Sequence, residues 1–153
     1  MYIITLLRHE ESIFNLYQNS EKNCSLSENG IKNCSKLSGY YDIIICSPLK
    51  RCIQTLIYSN IKYNKLYISN LCREYKEDIC DFFETEDIII EDIKLFMLRL
   101  NEFKLLLKKI IEEYKIQNNL IPSILVITHA NFMFYFDFNI DLPKNGEKIN
   151  IIF

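Results

Sequence analysis

Three short apolar runs constrain this chain most: residues 2–7, interrupted only by Thr5, residues 42–46, and residues 124–128. Each is long enough for a strand and too short for a buried helix, and none alternates with polar residues. A strand covered on both faces requires that pattern. Between the runs lie stretches in which apolar residues recur every three or four positions, the period of amphipathic helices. Strands alternating with helices predict an α/β fold, a three-layer α-β-α sandwich with a mostly parallel central sheet. With 153 residues, one such core can form, so residues 1–153 are expected to make a single domain. Only three glycines and three prolines are present to break elements.

Ser27 caps a helix expected from Glu28 to about residue 38, with Ile31, Cys34 and Leu37 on one side and Gly39 as its stop. Ser47-Pro48 starts another, in which Leu49, Cys52, Ile53, Leu56 and Ile57 form the apolar stripe. Arg51 falls off that stripe, near the free amides of the first turn, where it can help bind an anion. Residues 66–68 suggest a short strand, and the acidic, aromatic segment 74–91 an irregular loop with short helices. Residues 92–115 predict one long amphipathic helix, and 148–153 a last strand after a turn at Asn145-Gly146. The aromatic cluster Phe132, Phe134, Tyr135, Phe136 and Phe138 is expected to be packing.

Formal net charge is −2 with no cluster of Lys or Arg, which argues against nucleic acid as a partner. No apolar run approaches a bilayer span, so no membrane is expected, and the lack of an export signal points to the cytoplasm. The six cysteines are then expected to be reduced. None stands in Cys-x-x-Cys spacing, and no carboxylate accompanies the histidines at ligand spacing, so no metal is expected. The two histidines, His9 and His129, each follow an apolar strand where the chain enters a loop. In open parallel sheets, ligands bind beyond these carboxyl ends. Oligomeric state is not written in the sequence.

A family pattern runs through these landmarks. The segment Leu7-Arg8-His9-Glu10-Glu11-Ser12-Ile13-Phe14-Asn15 resembles the Arg-His-Gly-Glu-Ser/Thr signature, with its later Asn, of the histidine phosphatase (phosphoglycerate mutase-like) superfamily. In family order follow Leu26-Ser27-Glu28-Asn29-Gly30, similar to Leu-Thr-x-x-Gly, and Ser47-Pro48-Leu49-Lys50-Arg51-Cys52-Ile53-Gln54-Thr55, similar to Ser-Pro-Leu-x-Arg-Ala-x-Gln-Thr. Leu71-Cys72-Arg73-Glu74 resembles the segment carrying the family's acid, Val126-Ile127-Thr128-His129-Ala130 its Val-x-Ser/Thr-His-Gly, and Asn145-Gly146-Glu147 its final turn. Glu10 and Ala130 depart from the pattern, each standing where the family usually has Gly.

The resemblance implies a phosphoglycerate mutase-like fold and a metal-independent, cofactor-free phosphatase. His9 would be the nucleophile that is transiently phosphorylated, and Glu74 the acid that protonates the leaving oxygen. Arg8, Arg51 and His129 would hold the phosphate, with Asn15 and Ser12 as further donors. The partner would be a small phosphorylated metabolite or a phosphoprotein. The chain lacks the long insertions that in the family's mutases keep water out, which favours hydrolysis. A phosphoglycerate mutase-type phosphotransferase is the alternative, and a silent phosphate-ester binder is another, because a carboxylate at Glu10 beside the pocket would repel anions. Segments 17–24 and 75–91 are expected to select the substrate.

Overall fold

A computed structural model describes residues 1–18 and 21–153. Asn19 and Ser20, inside the segment 17–24 expected to shape substrate choice, lie outside the described residues. The five strands are β1 (Ile3–Arg8), β2 (Ser38–Cys46), β3 (Asn60–Ile68), β4 (Ile124–Thr128) and β5 (Lys148–Ile152). They form one sheet in the order β3-β2-β4-β1-β5, parallel except for β5. The helices are α1 (Ile13–Tyr17), α2 (Glu28–Cys34), α3 (Lys50–Tyr58), α4 (Ile93–Asn118) and α5 (Ala130–Phe136).

Helices cover both faces, and the two cores follow the pleat. Ile4, Leu6, Ile43, Ile45, Ile124 and Val126 pack beneath α4 and α5, against Phe96, Leu100, Phe103, Phe132 and Phe136. Leu7, Ile44, Cys46, Leu125 and Ile127 face α3 through Cys52 and Leu56. All five residues of β4 are buried, which explains its unbroken apolar run. The aromatic cluster is largely α5: Phe132 packs edge-on against both Phe96 and Phe103.

The structure adjusts several expected boundaries. Helix α2 ends at Cys34 rather than near residue 38, and Gly39 is no helix stop but the second residue of β2. Two tight turns, with Lys36 N–H donating to Asn33 O and Leu37 N–H to Cys34 O, drop Leu37 into the core before the strand begins. Strand β3 is nine residues, not three, because β2 pairs with its whole length from Ser38↔Asn60 to Cys46↔Ile68. In its first half only Ile61 is buried, too little to give an apolar signature, since an edge strand buries little. Helix α3 begins at Lys50 with Leu49 as its cap, so Ser47-Pro48 precede it. Arg51 is buried at 3% exposure, contrary to its expected place off the buried face. Helix α4 starts one residue later than expected and runs to Asn118; Asp92 is its cap, whose carboxylate accepts from Lys94 N–H at 2.7 Å. Two 3-10 turns, Asn70–Cys72 and Ile79–Asp81, shape the acidic loop. No helix is long and apolar enough to cross a membrane among the described residues.

Candidate active site

Because β1, β2 and β4 run parallel, their carboxyl ends lie at one edge of the sheet, and Arg8, Ser47 and His129 emerge there together. A polar cavity of about 140 Å³ opens at that edge, lined by Arg8, His9, Ser12, Asn15, Arg51 and Glu74, with Phe14, Asp78, Cys80, Asp81, Ala130 and Asn131 completing the wall. The resemblance therefore placed six of its seven candidate residues on one hollow. His129 is the exception: it is fully buried behind His9, its ring 5.2 Å from the His9 ring in an edge-to-face arrangement.

Two hydrogen bonds define the tautomer of His9. The Arg51 Nε–H donates to His9 Nε2 at 3.1 Å, and His9 Nδ1 lies 2.7 Å from the carbonyl of Glu10. A guanidinium can only donate and a carbonyl can only accept, so Nδ1 carries the proton and Nε2 a lone pair. Burial, reinforced by the neighbouring Arg51 cation, holds the His9 pKa well below the usual imidazole value. His9 is thus a neutral base aimed at the cavity. His129 is likewise held neutral, first by burial and then by Arg51, and its Nε2 pairs with Ser47 Oγ at 2.8 Å. That bond gives Ser47 its use, in place of the helix cap.

Each nitrogen of Arg51 makes one hydrogen bond. Besides His9 it reaches Cys80 O through Nη1 at 2.7 Å and Asp81 Oδ1 through Nη2 at 2.8 Å. Burial lowers its pKa, but the Asp81 carboxylate, with smaller contributions from Cys80, Cys52 and Cys24, raises it overall. Arg8 donates from Nη1 to Pro143 O at 2.7 Å, while its buried Nε–H has no partner among the described residues. The Arg8 guanidinium lines the cavity, where its cation suits an incoming anion.

Asn15 and Ser12 form a reciprocal cap on α1: Asn15 N–H donates to Ser12 Oγ, and Ser12 N–H and Oγ–H donate to Asn15 Oδ1. Asn145 Nδ2 adds a third donor to that oxygen, at 3.1 Å. With Oδ1 saturated, the Asn15 amide presents its NH₂ group to the cavity. The Ser12 hydroxyl is spent on this cap.

Glu74 is 8% exposed and plugs the N-terminus of α5, accepting from the amides of Phe132 at 2.9 Å and Asn131 at 3.2 Å, and from Tyr75 N–H at 3.0 Å. Its backbone is stapled by Arg99 of α4, which donates to the carbonyls of Leu71, Arg73 and Glu74. Burial, and next the negative charge of Asp81, raise its pKa to about 7 against the opposing pull of Arg51 and those amides.

The two departures from the family pattern are accommodated. Glu10 is buried but is not part of the cavity wall; its carboxyl lies against Gly146, where a Cβ would overlap it. Burial raises its pKa, which softens the expected repulsion of anions. Ala130 is the first residue of α5 and is not among the residues with positive φ, so it takes the place of Gly without backbone strain. Asp81, Asp78, Asn131 and Arg99 escaped sequence reasoning. Asp81 and Asp78 are two acids in an acidic loop, and nothing local marks either one.

No protein-family model matches the sequence, and no curated protein aligns with it significantly. Solved structures do match. The phosphoglycerate mutase of Thermus thermophilus aligns with a TM-score of 0.67 at 15% identity, covering 98% of this chain and 92% of that one. A phosphoserine phosphatase from Entamoeba histolytica, in complex with 3-phosphoglyceric acid, aligns at 0.60 and 18%, covering 100% and 91%. The α-ribazole phosphatase of Shigella flexneri aligns at 0.61 and 19%, covering 86% and 76%. The fold is therefore the phosphoglycerate mutase-like α/β fold that these structures share.

Proposed function

We propose that this chain is a metal-independent phosphatase acting on a small phosphomonoester or a phosphoprotein, through a phosphohistidine on His9. The observation that carries the reading is a neutral imidazole on the cavity wall whose Nε2 lone pair accepts the Arg51 Nε–H, in one cavity with a carboxyl whose pKa stands near 7. An entering phosphate takes over the Arg51 Nε–H that rests on Nε2. It is further held by the Arg8 guanidinium and the Asn15 amide, both on the cavity wall. Nε2 then attacks phosphorus in line; the P–O bond to the leaving group breaks, and Glu74 gives that oxygen its proton. On the return step, the Glu74 carboxylate takes a proton from water as the water oxygen attacks phosphorus and the P–N bond breaks. The cations and amides act chiefly by stabilising charge on the equatorial oxygens. His129 serves from behind, as a neutral ring against His9 anchored by Ser47.

Hydrolysis is preferred to phosphoglycerate transfer because of the wall's charge. Arg8 and Arg51 are its only cations among the described residues, and Asp78 and Asp81 add carboxylates beside Glu74. A sugar acid would bring its own carboxylate to that wall with no cation left to pair with it. The test is turnover of an aryl phosphate, inhibited by vanadate, together with trapping of a phosphoenzyme stable to alkali and labile to acid. His9→Ala should abolish both; full turnover by that variant would refute the mechanism.

A further inference from the structure

Arg51 carries the phosphate in this reading, yet what aims Arg51 is a residue no family motif singled out. Asp81 sits in the 3-10 turn Ile79–Asp81, with 4% of its side chain exposed. Its Oδ2 accepts the amides of Glu77 and Asp78, at 3.3 and 2.9 Å, and its Oδ1 accepts Arg51 Nη2 at 2.8 Å and the Cys80 thiol at 3.6 Å. The carboxylate is thus immobilised by its own turn. The carbonyl of Cys80 in the same turn grips Arg51 Nη1. Two grips on the far end of a planar guanidinium leave its remaining edge one direction, and Nε–H points to His9 Nε2. A buried line therefore runs from Asp81 through Arg51 and His9 to the carbonyl of Glu10.

We propose that Asp81 is a positioning residue for the reaction, the fixed carboxylate that orients the Arg51 fork on His9 and acts electrostatically on Glu74 across the cavity. The proposal rests on the phosphatase reading above. Its second half follows from the surroundings of Glu74. Arg8 of β1, Arg51 and Cys52 of α3, Asp81 of the 3-10 turn and the amides of Asn131 and Phe132 of α5 face the carboxyl, and Arg99 of α4 binds its backbone. Among these groups Asp81 is the anion that opposes ionisation of Glu74. Removing its charge leaves Arg51 uncompensated, so Glu74 gives up its proton at a lower pH.

Asp81→Asn keeps the shape and removes the charge. With an alkyl phosphate, whose leaving oxygen needs a proton, the alkaline limb of kcat/KM should move toward acid by at least about 0.5 pH unit. With an aryl phosphate, kcat should fall roughly tenfold while KM changes less than about threefold, because orientation is lost where the transition state uses it. A merely structural role would move neither the limb nor this split. Where Asp81→Asn melts too low to assay, Asp81→Glu carries the test. It keeps the charge but displaces it by one methylene, so kcat should fall at least about threefold with the limb unmoved. Wild-type kcat and an unmoved limb in Asp81→Asn, or wild-type kcat in Asp81→Glu, overturn the proposal while a His9-dependent wild type leaves the phosphatase reading standing. A wild type that forms no phosphoenzyme brings down both.

Discussion

At the scale of single residues, the site is a set of partly buried charges whose protonation states are set by neighbours. Glu74 is the clearest case. As an acid it must be protonated to serve the leaving group, so turnover of an alkyl phosphate should be highest below pH 7 and fall as pH rises through about 7. Glu74→Gln should remove that limb and slow alkyl phosphates by roughly 10²-fold or more, with a smaller effect on aryl phosphates, whose leaving groups need no proton; equal losses on both would deny it the acid's role. Glu10 and Gly146 form a second pair. Gly146 has φ +70°, and an added Cβ would meet the Glu10 carboxyl. Gly146→Ala should therefore destabilise by about 1–3 kcal/mol in urea unfolding, through both the backbone and the overlap. Combining it with Glu10→Gly should recover the part due to overlap and leave the part due to φ, so the two changes should not be additive.

Elements position these residues, and α5 shows how. It starts at the end of β4, directly after His129, and its first free amides are satisfied by Glu74. Its underside is Phe132, Met133 and Phe136, buried against α4. The packing of one aromatic face thus decides where the amides that hold the acid will stand. Phe132 is fully buried, so Phe132→Ala should cost about 3–5 kcal/mol, read as a lower urea midpoint with unchanged slope. Unchanged stability would mean that α5 is not docked as described. The acidic loop is held from α4 in the same manner: Arg99 pairs with Glu91 at 2.7 Å while binding three carbonyls of the segment that carries Glu74.

For the whole molecule, the cavity unites groups from β1, α1, α3, α5 and the acidic loop, so a ligand that fills it should tie them together. Vanadate or inorganic phosphate should raise the melting temperature in a concentration-dependent way, by the equivalent of about 2.7 kcal/mol at a hundredfold excess over Kd. Arg51→Gln should cancel the rise; a rise that survives it would place the anion elsewhere. Much of this was legible in the sequence. Apolar runs marked β1 and β4 as strands of the sheet, a local polar residue marked the cap Ser27, and the order of the motifs pointed to His9, Arg51 and Glu74, which line one cavity. These signals survive in one dimension because periodicity and capping are relations between near neighbours in the chain. Tertiary structure alone decided that β3 pairs over nine residues, that Arg51 is buried between His9 and Asp81, that Ser47 holds His129, and that Glu10 turns to Gly146. Each of these joins groups on separate elements, and their energies depend on distance and burial, which are fixed only once helices and sheet have docked.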